Sequence, residues 1–325
     1  MPQLHVLVGL PASGKSTFAK KLKATVISSD KLREELLGDV NDQNSNELIF
    51  NTMYERAEKQ LAIGLDVYLD ATHISAKVRK RIIERFRKKA DKLVAHYFNT
   101  PFYPDVVHRN RGRERSVPYS VLTRMRNSLQ VPMYSEGWNE IVFHNLDEVN
   151  KQVSPAWSES ILTSEQSYDS FMGSFTYWDA IESIIDLPQD NPHHSLSVSR
   201  HTYYVWDYIR RNYNNEDILV MLWAALFHDT GKKVTKSFKT LEDGTTARYA
   251  NFIGHENVSA QLAANVLANF YDTNFVLKVV EIVQNHMRLL SAGDSSKARN
   301  KLFTEVGKDV FEKLEFFRSA DTTAK

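Results

Sequence analysis

Apolar residues in the first half of the chain come in short unbroken runs, at positions 4–8, 25–27, 66–69 and 93–98. The stretches between them carry apolar residues at helical spacing, at 18–22, 31–37, 46–62, along the basic segment 77–92 and around 106–109. Continuous apolar runs mark strands buried on both faces, and their alternation with amphipathic helices predicts a parallel sheet flanked by helices. From about residue 175 the periodicity becomes helical almost throughout, interrupted by a hairpin expected around Asp243-Gly244. Between the two patterns, 150–173 is rich in Ser, holds Pro155 and has few periodic apolar positions. The expected organisation is an α/β domain over 1–150, a linker over 151–174 and an all-α domain over 175–325. Trp157, Phe171, Phe175 and Trp178 are expected as a seam near the joint.

The first strand runs into Gly9-Leu10-Pro11-Ala12-Ser13-Gly14-Lys15-Ser16-Thr17, which opens the helix at 18–22. Strand, glycine-bracketed loop and helix start together form a P-loop, whose backbone N–H groups cradle a polyphosphate. Gly9, Ser13, Gly14, Lys15, Ser16 and Thr17 are therefore candidate ATP contacts, with Lys15 reaching the β- and γ-phosphates and Ser16 a Mg²⁺. Asp30 lies at the carboxyl end of the second strand, where open parallel sheets place ligands, and reads either as a helix cap or as a base for an acceptor hydroxyl. Asp70, ending the third strand, reads either as a carboxylate for Mg²⁺ and its waters or as a cap for the helix after Ser75. The run from Arg109 to Pro118 holds Arg109, Arg111, Arg113 and Arg115 around Gly112, the pattern of a lid that closes over phosphates.

Gly9–Thr17, Ser29-Asp30 with Arg33, Asp70 with Thr72, and Arg109–Pro118 together resemble the 5′-polynucleotide kinase branch of the P-loop kinases over residues 1 to 150. That resemblance implies Asp30 as general base for a 5′-OH, and Arg33, with Asp70 and Thr72, on the acceptor side. It also implies Arg109 and Arg113 on the ATP phosphates, Arg113 being the lid arginine, a role for which Arg111 and Arg115 compete. It assigns no function to His73.

In the second half His201 lies on an apolar face with Val198, Val205 and Tyr208, and His228-Asp229 ends an apolar helix. His255 follows Gly254 at a helix start, His286 shares a face with Val279, Ile282 and Val283, and Asp321 follows Leu314 and Phe317. Singly, such residues read as core histidines. Together, imidazoles and carboxylates buried around one core are costly unless divalent metal satisfies them. The pattern of His201, His228-Asp229 and Asp321 resembles the HD phosphohydrolase superfamily, and His255 and His286 resemble its two-metal subset, in which the aspartate bridges. The resemblance implies one or two divalent ions (Mn, Fe, Co, Ni or Zn) and metal-dependent phosphatase or phosphodiesterase chemistry. His194 and Lys232 are candidate phosphate contacts, His194 alternatively a helix cap.

Composition narrows the partners. The 325 residues include no cysteine, so a metal site must use nitrogen and oxygen. The net charge is only +1, yet 77–126 carries fifteen Lys/Arg against four Asp/Glu. A solvated helix face over 77–92 explains about half of that excess, and the rest favours a polyanionic partner. No signal-peptide pattern and no bilayer-length apolar segment is visible, so a cytoplasmic protein without a membrane partner is expected. A 5′-kinase joined to a phosphohydrolase implies a bifunctional enzyme that heals the two ends of a broken strand, RNA favoured over DNA, ahead of a separate ligase. In content it resembles bacterial HD-polynucleotide kinase end-healing enzymes with the domain order reversed. The alternatives are a nucleoside kinase fused to a nucleotidase, against which the basic run weighs, and a nucleotide-gated sensor, against which the intact Lys15, Ser16 and Asp30 weigh.

Overall fold

The computed structural model describes residues 2–145, 154–191, 195–241 and 244–324. The chain divides into two compact units, Met1–Leu146 and Asp147–Lys325. The first holds strands β1 (Gln3–Val8), β2 (Thr25–Ser28), β3 (Val67–Asp70), β4 (Lys92–Asn99) and β5 (Glu140–Asn145). Its helices are α1 (Lys15–Ala19), α2 (Ser29–Leu37), α3 (Asn46–Ala62), α4 (Ala76–Phe86), α5 (Val107–Arg111) and α6 (Tyr119–Ser128). The strands form one parallel sheet in the order β2-β3-β1-β4-β5, with Leu4 of β1 opposite Val67 on one side and Leu93 on the other.

This order places the site. The chain leaves β1 for the edge strand β2, returns through β3 and crosses over to β4, so the turn after β1 lies where the strand order reverses. A crevice for a ligand forms at that switch point. Leu4, Val6, Leu7 and Val8 are fully buried, and α3 covers the sheet with Ile49, Met53, Ala57 and Leu61, one residue per turn. β5 is a strand that the apolar-run pattern missed. It is an edge strand whose apolar run is only Ile141-Val142-Phe143, flanked by Glu140 and His144, too short to announce it.

Two features of this unit come from distant residues. His5 on β1, His96 on β4 and His144 on β5 form a hydrogen-bonded row, 2.9 Å between His5 Nδ1 and His96 Nε2 and 2.8 Å between His96 Nδ1 and His144 Nε2. Arg79 of α4 is fully buried and gives two hydrogen bonds to Glu136, at 2.8 and 2.5 Å, and a third to the carbonyl of His73 at 2.9 Å. Trp138 Nε1 donates to the same Glu136 at 3.0 Å, so this buried carboxylate is fully engaged.

The second unit is helical apart from one hairpin. Its elements are α7 (Pro155–Thr163), α8 (Tyr168–Gly173), α9 (Asp179–Glu182), α10 (Val198–Asn212), α11 (Ile218–Phe227), α12 (Lys232–Thr235), β6 (Ser237–Thr240), β7 (Thr246–Asn251), α13 (His255–Leu267), α14 (Thr273–Ala292) and α15 (Ser296–Thr323). α11 is buried at every position from Val220 to Phe227, as expected of a helix apolar on all faces. The antiparallel β6–β7 pair is the expected hairpin, although Asp243 in its turn lies outside the described residues. The described part of the expected linker is folded instead: α7 and α8 bury Leu162, Phe171 and Met172. Phe171 stacks on Trp206 of α10 at 3.9 Å between centroids, and Trp206 Nε1 donates to the Leu162 carbonyl at 2.9 Å. Short helices with Ser at their caps carry too few apolar periods to be read from sequence. Among the described residues no helix is long and apolar enough to cross a membrane.

Candidate functional site

The loop after β1 closes on its own lysine. Lys15 is buried, and its Nζ donates to the carbonyls of Gly9 at 3.0 Å and Leu10 at 2.5 Å and to Ser13 Oγ at 3.2 Å. Burial, helped by the charge of Arg113 and opposed by Asp70, lowers the Lys15 pKa to about 8. Gly14, with φ 100°, turns the loop into α1; a left-handed residue here is cheapest as glycine. Thr100 Oγ1, just past β4, donates to the Ser13 carbonyl at 2.9 Å, and Gly9 N–H donates to the Thr72 carbonyl at 3.0 Å. Strands on both sides of β1 therefore hold the loop.

Asp70 caps no helix; α4 begins at Ala76, and Asp70 Oδ2 accepts from Ser16 Oγ at 3.1 Å. Burial raises its pKa, against the pull of Lys15 and Ser16. Ser16 and Asp70 are thus side by side where a Mg²⁺ accompanying a nucleotide would need oxygen ligands. Asp30 stands in the first turn of α2, its carboxylate half-exposed. Two guanidinium groups approach it: Arg33 Nη1 at 3.5 Å and Arg115 Nη1 at 3.3 Å.

Arg33 itself is buried and braced by the Asp42 carbonyl at 3.1 Å, the Ser29 carbonyl at 3.3 Å and Asn46 Oδ1 at 2.5 Å, so it orients Asp30 from beneath. The arginine segment begins inside α5, which carries Arg109 and Arg111, and continues past its end. Asn110 staples it by pairing both ways with Val117, at 2.8 and 3.0 Å, a role that its sequence position did not suggest. Arg109 lies 3.8 Å from Asp105, Arg113 is exposed and its charge helps to lower the Lys15 pKa, and Arg115 takes the place at Asp30. The basic run 77–126 is not one patch, because Arg79, Arg85, Lys89 and Lys92 are paired with Glu136, Glu58 and Glu140.

In the second unit α10, α11, α13, α14 and α15 each bring one end of a side chain to Asp229, which is 2% exposed. Asp229 Oδ2 lies 3.3 Å from His228 Nε2 and 3.6 Å from His201 Nε2, while Oδ1 lies 3.3 Å from His255 Nε2 and 3.9 Å from His286 Nε2. Asp321 Oδ1 completes the first side at 2.8 Å from His201 Nε2. Two ligand groups result, His201, His228 and Asp321 on one side and Asp229, His255 and His286 on the other. His194 lies outside the described residues. Lys232 is buried with its Nζ 2.7 Å from Asp229 Oδ2 and 2.8 Å from Gln189 Oε1.

The donor set fits divalent metal. His201, His228, His255 and His286 each donate Nδ1–H to a backbone carbonyl, at 2.6, 2.8, 2.8 and 2.7 Å, which fixes the tautomer and turns Nε2 inward. The buried Nε2 atoms of His228 and His255 have no hydrogen-bond partner among the described residues. An unpaired buried imidazole nitrogen costs about 1–3 kcal/mol, which metal coordination would offset. Burial, followed by the charges of His228 and His255, lowers the His286 pKa to about 3, so the ring is neutral, the form a metal would need. Burial opposes ionisation of Asp229, yet His228 and Lys232 hold its carboxyl well below the ordinary range. Close approach of α12 to α13 builds this wall: a Cβ on Gly231 would stand 2.4 Å from the His255 carbonyl, and Gly231 N–H donates to Ser259 Oγ at 2.9 Å.

A P-loop domain followed by an HD domain is the class these two sites define, and both halves match family models: the AAA domain over residues 4–132 and the HD domain over 193–313. The chain therefore joins a kinase-like P-loop domain to an HD domain, with Asp321 recruited from beyond the matched segment. A CC-adding tRNA nucleotidyltransferase of Thermus thermophilus is 28% identical over 155 residues, 46% of this chain and 32% of that enzyme. The chain thus spans about a third of the length of that relative. Among solved structures, the Pnkp1/Rnl/Hen1 complex aligns at 25% identity and a TM-score of 0.31 over 37% of this chain and 42% of the other. The Pnkp1/Rnl/Hen1 RNA repair complex aligns at 24% identity and 0.36, over 39% and 44%.

Proposed function

We propose that the protein is a bifunctional nucleic-acid end-healing enzyme that phosphorylates 5′-OH ends with ATP and removes 3′-phosphate or 2′,3′-cyclic phosphate, RNA favoured over DNA. The observation that carries this reading is the presence in one chain of a two-sided ligand cluster about Asp229 and of Asp30 held between Arg33 and Arg115 beside a P-loop. In the first reaction Lys15 and Arg113 neutralise the phosphates of ATP, Ser16 and Asp70 hold Mg²⁺, and Asp30 accepts the proton of the attacking 5′ hydroxyl as the γ-phosphoryl moves. Gly9, Ser13, Gly14 and Thr17 shape the cradle. Arg33 acts by aiming Asp30, and Thr72 by tying β3 to the loop.

For the second reaction His201, His228, Asp229, His255, His286 and Asp321 would hold divalent metal, which when bound would supply Lewis acidity toward a phosphoryl group and a water. Asp229 fixes the two groups at one separation, and Lys232 offers its ammonium to the phosphate. A relative named as a tRNA nucleotidyltransferase supports a nucleic-acid substrate. The products, a 5′-phosphate and a 3′-OH, are the pair that a separate ligase requires, and we place the enzyme before such a partner in the cytoplasm.

The test is an RNA with 5′-OH and 2′,3′-cyclic phosphate ends, incubated with ATP, Mg²⁺ and Mn²⁺. Asp30→Ala should abolish only 5′ phosphorylation and Asp229→Ala only 3′ removal. Action on free nucleosides or nucleotides with both RNA ends untouched would overturn the reading.

A further inference from the structure

The β6–β7 hairpin emerges between two residues of the metal-ligand cluster. Asp229 lies eight residues before it, His255 four residues after it, and their side chains are 3.3 Å apart. Lys232 ties the two roots together, lying 2.7 Å from Asp229 and 5.5 Å from the ring of Phe252, which follows β7. The base is anchored by Lys236 to Asp190 at 2.6 Å and by Ala250 N–H to the Asp190 carbonyl at 2.9 Å.

Beyond that base the ribbon packs on little. Every residue of β6 is exposed, and in β7 only Ala250 is buried. Even so it carries large apolar side chains, with Phe238 42%, Tyr249 44% and Ile253 78% exposed. A two-stranded ribbon is marginal by itself, and exposed aromatic side chains on one mark a contact surface. Residues 233–253 carry four Lys/Arg against two Asp/Glu, the adjacent Glu242 and Asp243. Lys236 lies 6.0 Å from the Phe238 ring and Arg248 5.4 Å from the Tyr249 ring.

We propose that this hairpin is a strand-binding flap, which holds the unpaired nucleotides upstream of a 3′ end by stacking bases on Phe238 and Tyr249 and pairing phosphates with Lys239 and Arg248. The inference rests on the nucleic-acid reading above for its substrate. Aromatic faces take any base, and neighbouring cations take the backbone, so the contact is sequence-tolerant. A strand held there is led to the root of the hairpin, where Asp229 and His255 stand side by side, which sets the polymer apart from a mononucleotide at the same metal centre.

The test uses the full-length protein, Mn²⁺, a 5′-phosphorylated single-stranded RNA of about ten nucleotides with a 3′-phosphate, and a nucleoside 3′-phosphate. The Phe238→Ser/Tyr249→Ser variant should lose about tenfold or more in kcat/KM on the RNA and leave the mononucleotide unchanged. The Lys239→Ser/Arg248→Ser variant should reduce the salt slope of RNA binding, read by fluorescence anisotropy, by about 1.4. Wild-type kcat/KM on the RNA in the first variant, or an unaltered salt slope in the second, overturns the flap. If the wild type hydrolyses neither substrate, the phosphohydrolase reading fails, and the anisotropy comparison of both variants with wild type still decides the flap. If the aromatic variant lowers the thermal midpoint and both activities together, the charge variant decides.

Discussion

Arg115 of the arginine segment stands 3.3 Å from Asp30, the carboxylate at the end of the second strand, and Arg33 approaches the same oxygen from the other side at 3.5 Å. One arginine of the segment is therefore already engaged with Asp30, while Arg113 is the one whose charge helps to lower the Lys15 pKa.

This divides the work of the lid arginines. Arg113→Ala is expected to lower kcat for 5′ phosphorylation by about a thousandfold, the low end for loss of a transition-state arginine. Arg115→Ala should act mainly on KM for the acceptor, by about tenfold, since an exposed pair contributes little beyond positioning. Steady-state kinetics with ATP and acceptor varied separately distinguish the two, and an equal kcat loss in both would contradict the division.

Metal stoichiometry tests the two-sided cluster about Asp229. His255→Ala and His286→Ala should each lose about one equivalent of bound divalent metal and Asp229→Asn both, because only Asp229 faces both groups. Elemental analysis after gel filtration reads this directly. A wild type with one equivalent, unaffected by His255→Ala, would leave a single centre on His201, His228 and Asp321.

The buried Arg79–Glu136 pair should be asymmetric to mutation. Removing either partner leaves the other charge without compensation, and Glu136→Ala is expected to destabilise the first unit by about 3–5 kcal/mol, read by chemical denaturation. Because Arg79 also holds the His73 carbonyl at 2.9 Å, the same change should disturb the loop that carries Thr72.

Acid should weaken the first unit through His73. Burial, the larger effect, lowers its pKa to about 4, against a Leu7 carbonyl bond that favours the charged ring. The unfolded chain takes up the proton near pH 6.5 and the folded one only near 4, so this stability is complete above 6.5 and is lost as the pH falls toward 4. The span corresponds to roughly 3 kcal/mol, and His73→Asn should flatten that part of a stability–pH curve.

The sequence made the P-loop legible because its residues are contiguous and their spacing is set by one loop. The strands β1 to β4 were legible because a strand buried on both faces must be apolar throughout. The HD cluster was legible one residue per helix, since polar groups on apolar faces stand out. What stayed hidden depends on chain distant in sequence: Asn46 under Arg33, Asn110 across to Val117, Gln189 on Lys232, and Arg115 at Asp30. The Ser-rich joint misled for a related reason, because Trp206 and Phe171 order α7 and α8 through contacts no local pattern announces.

The lysine of the phosphate loop has a thermodynamic consequence. With its ammonium enclosed by Gly9, Leu10 and Ser13, Lys15 gives up its proton near pH 8. A polyphosphate arriving beside it restores the charged form, so at about pH 8 nucleotide binding should draw about half a proton from solution, and almost none near about pH 6.5. The heat of binding at the higher pH should then vary with the ionisation enthalpy of the buffer, and Lys15→Met should bind, if weakly, with heats that the buffer does not change.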